Sequence, residues 1–357
     1  MLFNLWAKLT YFFSDFWPYL LVNLVALILF VYLLIKVIRS NYSEVKKKVF
    51  FASLTSFICF ISLFSFFELY FRYIYDQSDG LGFLKVNSRW HQRHVVHNSY
   101  FFRDRDFDPH KKEHVVRIGA LGDSITFGGG IENYQDRFSN ILEKKLNDAG
   151  YSVEVYNLGK PGFDTEAEIK QYQDVKNLNF DIIIWQYFLN DIQPTEKSTG
   201  TSIISRNSTQ QKFTKFLSDK SYFFDFLYWR LSSRYSKTFE ELKTADIAQY
   251  HNDQLLNNHQ AQIRDFVENL KKENKKVVVI LFPLINALGP NYPATDVHNL
   301  MTEYFKEIQV ETIDLLEDLK EKEPKNLIAS HFDPHPNESV HKLAAEKLFE
   351  VIAPLLK

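Results

Sequence analysis

Four residues with chemically useful side chains lie far apart in the 357-residue sequence, each beside a predicted turn. Ser124 follows an apolar run, Asn190 follows another, and Asp333 and His335 share a late proline-rich loop. A serine hydroxyl is a weak nucleophile unless a base lies within hydrogen-bond reach and a third group orients that base. These residue types therefore indicate acyl transfer through a serine, provided that the fold brings them together.

His335 is the candidate base, because prolines on both sides stiffen its loop and Asp333 is close on the same loop. Asp333 would hold the imidazole tautomer and stabilise the imidazolium. His331 and His341 are alternative bases. We expect His341 to be a structural partner of the final helix, and His331 remains open as a minor alternative.

The elements that must position these residues are continuous apolar runs alternating with amphipathic helices. This alternation predicts an α/β fold with a flavodoxin-like doubly wound parallel sheet, covered by helices on both faces. Ligands bind such sheets at the carboxyl ends of the strands, where Ser124 and Asn190 are expected. The predicted strands are 115–121, 153–157, 181–187, 276–282 and 310–315, and the predicted helices are 134–149, 164–176, 248–272 and 339–356.

The order of these motifs resembles that of the SGNH (GDSL-like) hydrolase superfamily, in its membrane-tethered type with an N-terminal transmembrane hairpin. The resemblance runs from Arg103 to the C-terminus and implies the SGNH hydrolase fold and a serine esterase. The matching blocks are Gly122-Asp123-Ser124-Ile125 (block I), Gly159 (block II), Asn190 (block III), and Asp333 with His335 (block V).

The resemblance also implies an oxyanion hole formed by the N–H groups of Ser124 and Gly159 and the side-chain amide of Asn190. The sequence departs from the family pattern at two places. Asp333 is two residues before the histidine, where many members have three, and Phe188 stands where the family often has glycine before the asparagine. Asp123 is adjacent to Ser124, so we expect it to stabilise the turn rather than orient the base.

Two apolar runs near the N-terminus, Trp17 to Ile38 and Val49 to Phe67, are each long enough to cross a bilayer, which takes roughly 20 residues. No basic region or small-residue cleavage site precedes the first run, so a cleaved signal peptide is not favoured. The connecting loop is rich in Lys and Arg, which predicts that it is cytoplasmic. The hydrolase domain would then be extracytoplasmic, on the periplasmic or cell-exterior side.

The predicted organisation is a membrane-anchoring hairpin (1–73), a connector that packs on the core (74–114) and a hydrolase domain (115–357) with an insertion at 192–254. The aromatic run Tyr222 to Trp229 in the insertion would line an acyl or glycan pocket, rest on the membrane surface or pack on the core. The connector histidines His91, His94 and His97 are expected to be solvated or packing residues rather than metal ligands.

Composition narrows the function further. A net charge of -2 and the absence of a dense basic tract do not indicate nucleic-acid binding. The single cysteine, Cys59, excludes intrachain disulfides and cysteine zinc sites. We predict an esterase without cofactor or metal, acting on an envelope glycan or lipid ester through an acyl-serine. The alternatives are an O-acyltransferase that modifies a surface polysaccharide and a catalytically silent membrane-complex subunit. The sequence leaves the oligomeric state open.

Overall fold

The computed structural model describes residues 2–192 and 212–357. These residues form two compact units. The first contains the chain up to Asp76 together with Lys212–Arg230, and the second contains the described chain from Gln77 onward, apart from Lys212–Arg230. The expected insertion is thus divided between the two units.

The first unit begins with two long helices, α1 (Leu2–Ile38) and α2 (Glu44–Leu69), and α2 continues into one π-helical turn, Tyr70–Ile74. Asn23 of α1 donates to the hydroxyl of Ser65 in α2, at 2.7 Å. By length and composition, Phe16–Ile38 and Glu44–Ile74 are each sufficient to cross a membrane.

The second unit alternates strands with helices along the chain. Its first half contains α3 (Asn87–His94), β1 (Val116–Gly122), α4 (Ser124–Phe127), α5 (Phe138–Asp148), β2 (Val153–Gly159), α6 (Thr165–Val175) and β3 (Ile182–Tyr187). The insertion follows: α7 (Lys212–Lys220) and most of α8 (Tyr222–Leu231) belong to the first unit, and α9 (Arg234–Gln249) belongs to the second. The rest of the chain forms α10 (Asp253–Lys272), β4 (Lys276–Leu281), α11 (Thr295–Glu307), β5 (Glu311–Asp314), α12 (Leu316–Leu319), β6 (Ile328–Ser330), β7 (Asp333–Pro336) and α13 (Glu338–Leu355).

The central sheet is parallel and has the strand order β2-β1-β3-β4-β5. This is the flavodoxin-like order, so the predicted α/β fold class is confirmed. Every residue of β3 is buried, as expected for a central strand with helices on both faces. The carboxyl ends of β1 and β2 are level, because Gly122 pairs with Gly159 in the register.

The predicted strands are present, with ends shifted by one or a few residues. The helix predicted at 248–272 begins only at Asp253, because Asn252 caps α10 by accepting a hydrogen bond from the N–H of Leu255. Ala248 and Gln249 are the last residues of α9. Helix α11 and the β6–β7 hairpin, which contains the late proline-rich segment, were not predicted from the sequence. Short strands of three and four residues have too little periodicity to be recognised from sequence.

The aromatic run of the insertion forms α8, most of which belongs to the first unit. Phe223 stacks on Phe67 of α2 with ring centroids 5.1 Å apart. The N–H of Phe223 and the hydroxyl of Ser221 donate to the buried carboxylate of Glu68, which thereby caps α8. Phe224 of the same run contacts the ring of Phe64 on α2, so the start of the run packs on α2 within the first unit.

Candidate active site

The nucleophile turn is fixed from two sides. Ser124 is the first residue of α4, directly beyond the carboxyl end of β1, and Asp123 caps the helix by accepting from the N–H of Ile125 at 2.8 Å. This contact matches the expected turn-stabilising role of Asp123. Gln186 of β3 accepts from the N–H of Asp123 at 3.1 Å and from the hydroxyl of Thr126 at 2.9 Å. The neighbouring strand therefore holds the serine in position.

Asp333 and His335, both on β7, complete a row of hydrogen bonds with Ser124. The Nε2 atom of His335 lies 2.8 Å from the Oγ atom of Ser124. On the other side of the ring, Nδ1 contacts Oδ1 of Asp333. An ionised carboxylate can only accept, so Nδ1 carries the proton and Nε2 is free to accept from the serine. The structure thus brings together residues that lie more than 200 positions apart in the sequence.

Electrostatics support this protonation pattern. Burial by itself raises the pKa of Asp333, but attraction to His335 and hydrogen bonds from His335 and Ser78 bring that pKa below its ordinary value. Burial lowers the pKa of His335, but the carboxylate of Asp333 outweighs it, with smaller contributions from Asp123 and Asp79, and leaves the pKa above the ordinary histidine value. An imidazole that gains a proton during the reaction is therefore stabilised by its surroundings.

The other two histidines considered as bases lie elsewhere. His341 is fully buried, and its Nδ1 accepts from the N–H of Phe138 at the start of α5, at 3.3 Å. Burial, followed by repulsion from nearby cations, lowers the pKa of His341 to about 3, which suits a neutral packing residue. His331 is exposed, and its ring contacts Phe332.

The loop after α4 supports His335 closely and is tied to the connector. A methyl group built on Gly129 would lie 3.0 Å from the His335 ring, so the backbone itself forms the support. Arg103 of the connector is buried and donates to the carbonyls of Gly128 at 2.7 Å and Ile131 at 2.5 Å. The connector therefore binds directly to the loop beneath the histidine.

Gly159 was predicted to donate to the oxyanion, but its N–H is already engaged in the structure. The N–H of Gly159 donates to Oδ1 of Asn157 at 3.1 Å. Its Cα packs against the backbone of α4, so Gly159 allows β2 and α4 to approach closely. Gly162, in the turn that follows, has φ +76 and lines the cavity in front of Ser124. The N–H groups of Ser124 and Gly162 have no acceptor within the described residues. The Pro161-Gly162 pair was the missed signal, since it marks a turn beyond the strand.

Asn190 lies in the 3₁₀ turn Leu189–Ile192 after β3 and also lines the cavity. Its side-chain amide donates to Oδ2 of Asp123 at a long 3.4 Å. An amide has two N–H donors, so one remains for a bound group. Asn190 is thus positioned at the same strand edge as Ser124 and Gly162.

The cavity at this edge has a volume of about 620 Å³, within the range typical of small-molecule sites. Its walls come from elements that the sequence did not associate with the site: the connector helix α3 and the insertion helix α9. Phe188, which replaces the family glycine, is also part of the wall. Apolar lining residues include Trp90, Phe127, Phe163, Phe188, Phe239, Leu242, Leu284 and Ile285.

The three connector histidines do not cluster around one point. His91 lines the cavity, the ring of His94 contacts Trp90, and the ring of His97 contacts Phe127. Across residues 2–192 and 212–357, no group of three or more His, Cys, Asp or Glu side chains is arranged to hold a metal ion.

Comparison with known proteins identifies the family. The profile of the GDSL-like Lipase/Acylhydrolase family matches residues 120–343, which is more than half of the chain. No curated protein sequence matches the chain.

Similar solved structures share low sequence identity. A protein from Desulfitobacterium hafniense, described as lipolytic and of the G-D-S-L family, is 16% identical with a TM-score of 0.40, over 66% of this chain and 99% of that one. The esterase EstA from Pseudoalteromonas is 12% identical with a TM-score of 0.40, over 67% and 98% of the two chains. A G-D-S-L family protein from Veillonella parvula is 16% identical with a TM-score of 0.37, over 67% and 98%. By its family profile, the chain belongs to the GDSL-like lipase/acylhydrolases and is a serine hydrolase that acts on ester bonds.

Proposed function

We propose that this enzyme cleaves acyl esters through a covalent acyl-serine on Ser124, with His335 as the base and Asp333 as the residue that orients it. The observation that carries the proposal is the continuous hydrogen-bonded row from Ser124 through His335 to Asp333 at the edge of the cavity. This is the arrangement that activates a serine hydroxyl.

In the proposed reaction, His335 Nε2 takes the hydroxyl proton as Ser124 Oγ attacks the carbonyl carbon of the ester. The oxyanion that forms accepts from the N–H groups of Ser124 and Gly162 and from the amide of Asn190. Collapse of this intermediate breaks the ester C–O bond, and the departing alcohol takes the proton from His335. A water molecule, deprotonated by the same histidine, then releases the acid and restores the serine.

The cavity walls support an aliphatic acyl group as the part of the substrate bound there. Apolar side chains from α3, α9 and the loop after β4 surround the space in front of Ser124. Burial of one methylene contributes about 0.8 kcal/mol, so such walls favour longer acyl chains over acetyl. We propose an acylated envelope lipid or glycan as the physiological ester.

The two apolar helices support a membrane tether. Their large side chains are solvent-facing in α1 and α2, for example Val22 at 57% exposure and Phe60 at 66%. Exposed apolar helices of this length are stabilised by lipid. With the basic residues concentrated in the loop between them, we propose that the catalytic unit lies outside the cytoplasm.

A fluorophosphonate probe tests the proposed nucleophile, using the full chain in detergent. Wild-type protein should be labelled on Ser124, and Ser124→Ala should not be labelled. Ser152→Ala, at an exposed serine, is the matched control and should react like wild type. Absence of labelling in folded wild-type protein would favour a catalytically silent subunit of a membrane complex.

Water as the acyl acceptor has a separate test. Release of free acid from an ester, with the same initial rate when sugar alcohols are added, would identify a hydrolase. Transfer of the acyl group to the added alcohol in preference to water would instead identify an O-acyltransferase.

A further inference from the structure

The connector segment from Ser78 to Leu84 packs directly against the hairpin with the proposed acid and base, and its residues 78–81 also line the cavity. The side chain of Ser78 donates to the carboxylate of Asp333. The N–H of Gly80 donates to the carbonyl of Phe332 at 3.0 Å. A methyl group built on Gly80 would lie 2.8 Å from Cδ of Pro334, so Gly80 packs closely against the proline ring. This segment lies outside the residues matched by the family profile.

Asp79 is the central residue of this contact. It is 8% exposed, and its carboxyl oxygens accept from the N–H of Leu81 at 2.9 Å and the N–H of Leu84 at 2.5 Å. The hydroxyl of Tyr235, on helix α9, contacts Oδ1 of Asp79 and also lies 2.6 Å from the carbonyl oxygen of Phe332. Three segments, the connector, the insertion and the hairpin with Asp333, therefore meet at one buried point.

The number of protons available at this point links the direction of these hydrogen bonds to the charge of Asp79. A tyrosine hydroxyl has one proton to donate, and a carbonyl oxygen has none. If Tyr235 donates to Phe332, its contact with Asp79 is a hydrogen bond only when the carboxyl of Asp79 carries a proton. Burial raises the pKa of Asp79 to about 7 despite the opposing hydrogen bonds from the N–H groups of Leu84 and Leu81, and the charge of Asp333 adds a smaller increase. A raised pKa is consistent with a protonated Asp79.

We infer that Asp79 is a positioning residue for the acid–base pair: as a neutral carboxylic acid it donates to Tyr235, which donates to the carbonyl of Phe332 and fixes the hairpin of Asp333 and His335. The inference rests on the proposed function, since it assigns Asp79 to the support of the proposed acid and base. Asp79 does not touch the reacting atoms.

The hydrogen-bonded series from Asp79 through Tyr235 to the carbonyl of Phe332, here called the relay, affects the pH dependence of the reaction. The titratable groups around Asp79 are Asp333 and His335 on the hairpin and Tyr235 on α9. His91 of α3 and Lys243 and Asp246 of α9 line the same cavity as Asp79. As the pH rises above the pKa of Asp79, its proton is lost and Tyr235 turns to the new carboxylate. The carbonyl of Phe332 then loses the donor that Tyr235 supplied, so turnover should decline on the alkaline side.

The test compares kcat/KM for p-nitrophenyl butyrate from about pH 5.5 to about pH 9 in the full chain in detergent. Asp79→Asn retains a donor to Tyr235 but does not ionise. It should remain close to wild type on the acid side and lose the alkaline decline. Asp79→Ala and Tyr235→Phe each break the relay and should lower kcat/KM roughly ten- to hundredfold, the scale of a small misplacement of reacting groups. Their effects should not add in the double variant, because both remove the same relay.

Two results would overturn the inference. One is an Asp79→Asn variant as impaired as Asp79→Ala on the acid side, which would mean that an ionised carboxylate is required. The other is wild-type kcat/KM and pH profile in Tyr235→Phe. Asp79→Asn and Tyr235→Phe are nearly isosteric with the wild-type residues. Their kcat/KM and pH profiles therefore test the inference even if Asp79→Ala does not fold. Failure of the proposed function has a different signature, since wild-type protein would then not be labelled at Ser124 by a fluorophosphonate.

Discussion

At the scale of single residues, the protonation state of His335 governs the proposed chemistry. The base must be neutral to accept the serine proton, so activity is present above its pKa and is lost as the pH falls through that value. The carboxylate of Asp333 contacts the ring and is buried with 3% of its side chain exposed. It therefore acts on the histidine with little solvent screening.

The first prediction concerns the acid limb of the pH profile. The pKa of His335 is raised, so the midpoint for kcat/KM should lie above the ordinary histidine value of about 6.5. Asp333→Asn removes the charge that raises this pKa, so the midpoint should move to lower pH. The plateau rate should fall roughly 10³- to 10⁴-fold, because the imidazole is no longer held in the required tautomer. Asp265→Asn, at an exposed site on α10, is the control. An unmoved acid limb in Asp333→Asn would remove Asp333 from this role.

The second prediction concerns the oxyanion donor on the 3₁₀ turn after β3. Asn190→Ala should reduce transition-state stabilisation by about 2.7–4 kcal/mol, the effect of losing one oxyanion donor. The measurement is kcat on a model ester, with thermal melts alongside, because Asn190 also contacts Asp123. The exposed Asn258→Ala should retain the wild-type rate. Unchanged turnover in Asn190→Ala would remove that amide from the mechanism.

At the scale of elements, the core sheet positions the chemistry and the added helices shape the cavity. Gln186 of β3 holds the turn that contains Ser124, and the β6–β7 hairpin carries the proposed acid and base. Helix α9 contributes to the wall through Phe239 and Leu242. Substrate preference should therefore depend on the insertion more than on the sheet.

The third prediction tests α9 as a wall for the acyl chain. Wild-type kcat/KM should rise from p-nitrophenyl acetate to octanoate, by up to about fourfold for each added methylene that is buried. Leu242→Trp fills part of the cavity and should lower the octanoate-to-acetate ratio at least tenfold. Ala245→Trp, exposed on the same helix, is the matched control and should keep the wild-type ratio. A wild-type enzyme that prefers acetate would contradict the proposed acyl site while leaving the nucleophile assignment intact.

At the scale of the whole molecule, the chain combines a unit with two long apolar helices and a unit with the parallel sheet and the proposed active site. Helix α8 of the insertion belongs with the apolar helices, through its ring stacking on α2 and its capping by Glu68. The insertion therefore contributes both to the proposed membrane unit, through α8, and to the cavity wall, through α9.

The fourth prediction concerns topology. In a Cys59→Ser background, Ser43→Cys in the basic loop should not react with a membrane-impermeant thiol reagent in intact cells. Lys325→Cys, exposed on the catalytic unit, should react. The reason is the concentration of Lys and Arg between the two helices. The reverse labelling pattern would place the catalytic unit in the cytoplasm.

The sequence by itself determined the fold class, the family and the order of the chemically important residues. Continuous apolar runs predicted strands that are buried on both faces. Local patterns were also sufficient to place Ser124 and Asn190 at strand ends. Asp333 and His335 were expected to lie side by side because they are two residues apart, and both lie on β7. Features of this kind depend on neighbours in the chain, so a single sequence is sufficient to show them.

Only the tertiary structure decided which surfaces meet. It showed that Gly162 rather than Gly159 faces the cavity, that α8 packs on α2, and that Gln186 holds the nucleophile turn. It also brought Asp79 and Tyr235, 156 positions apart, to the carbonyl before Asp333. Periodicity reports which face of an element is buried, but not what covers it. Partners at such separations are selected by packing and by the pairing of buried polar groups, which local sequence patterns do not encode.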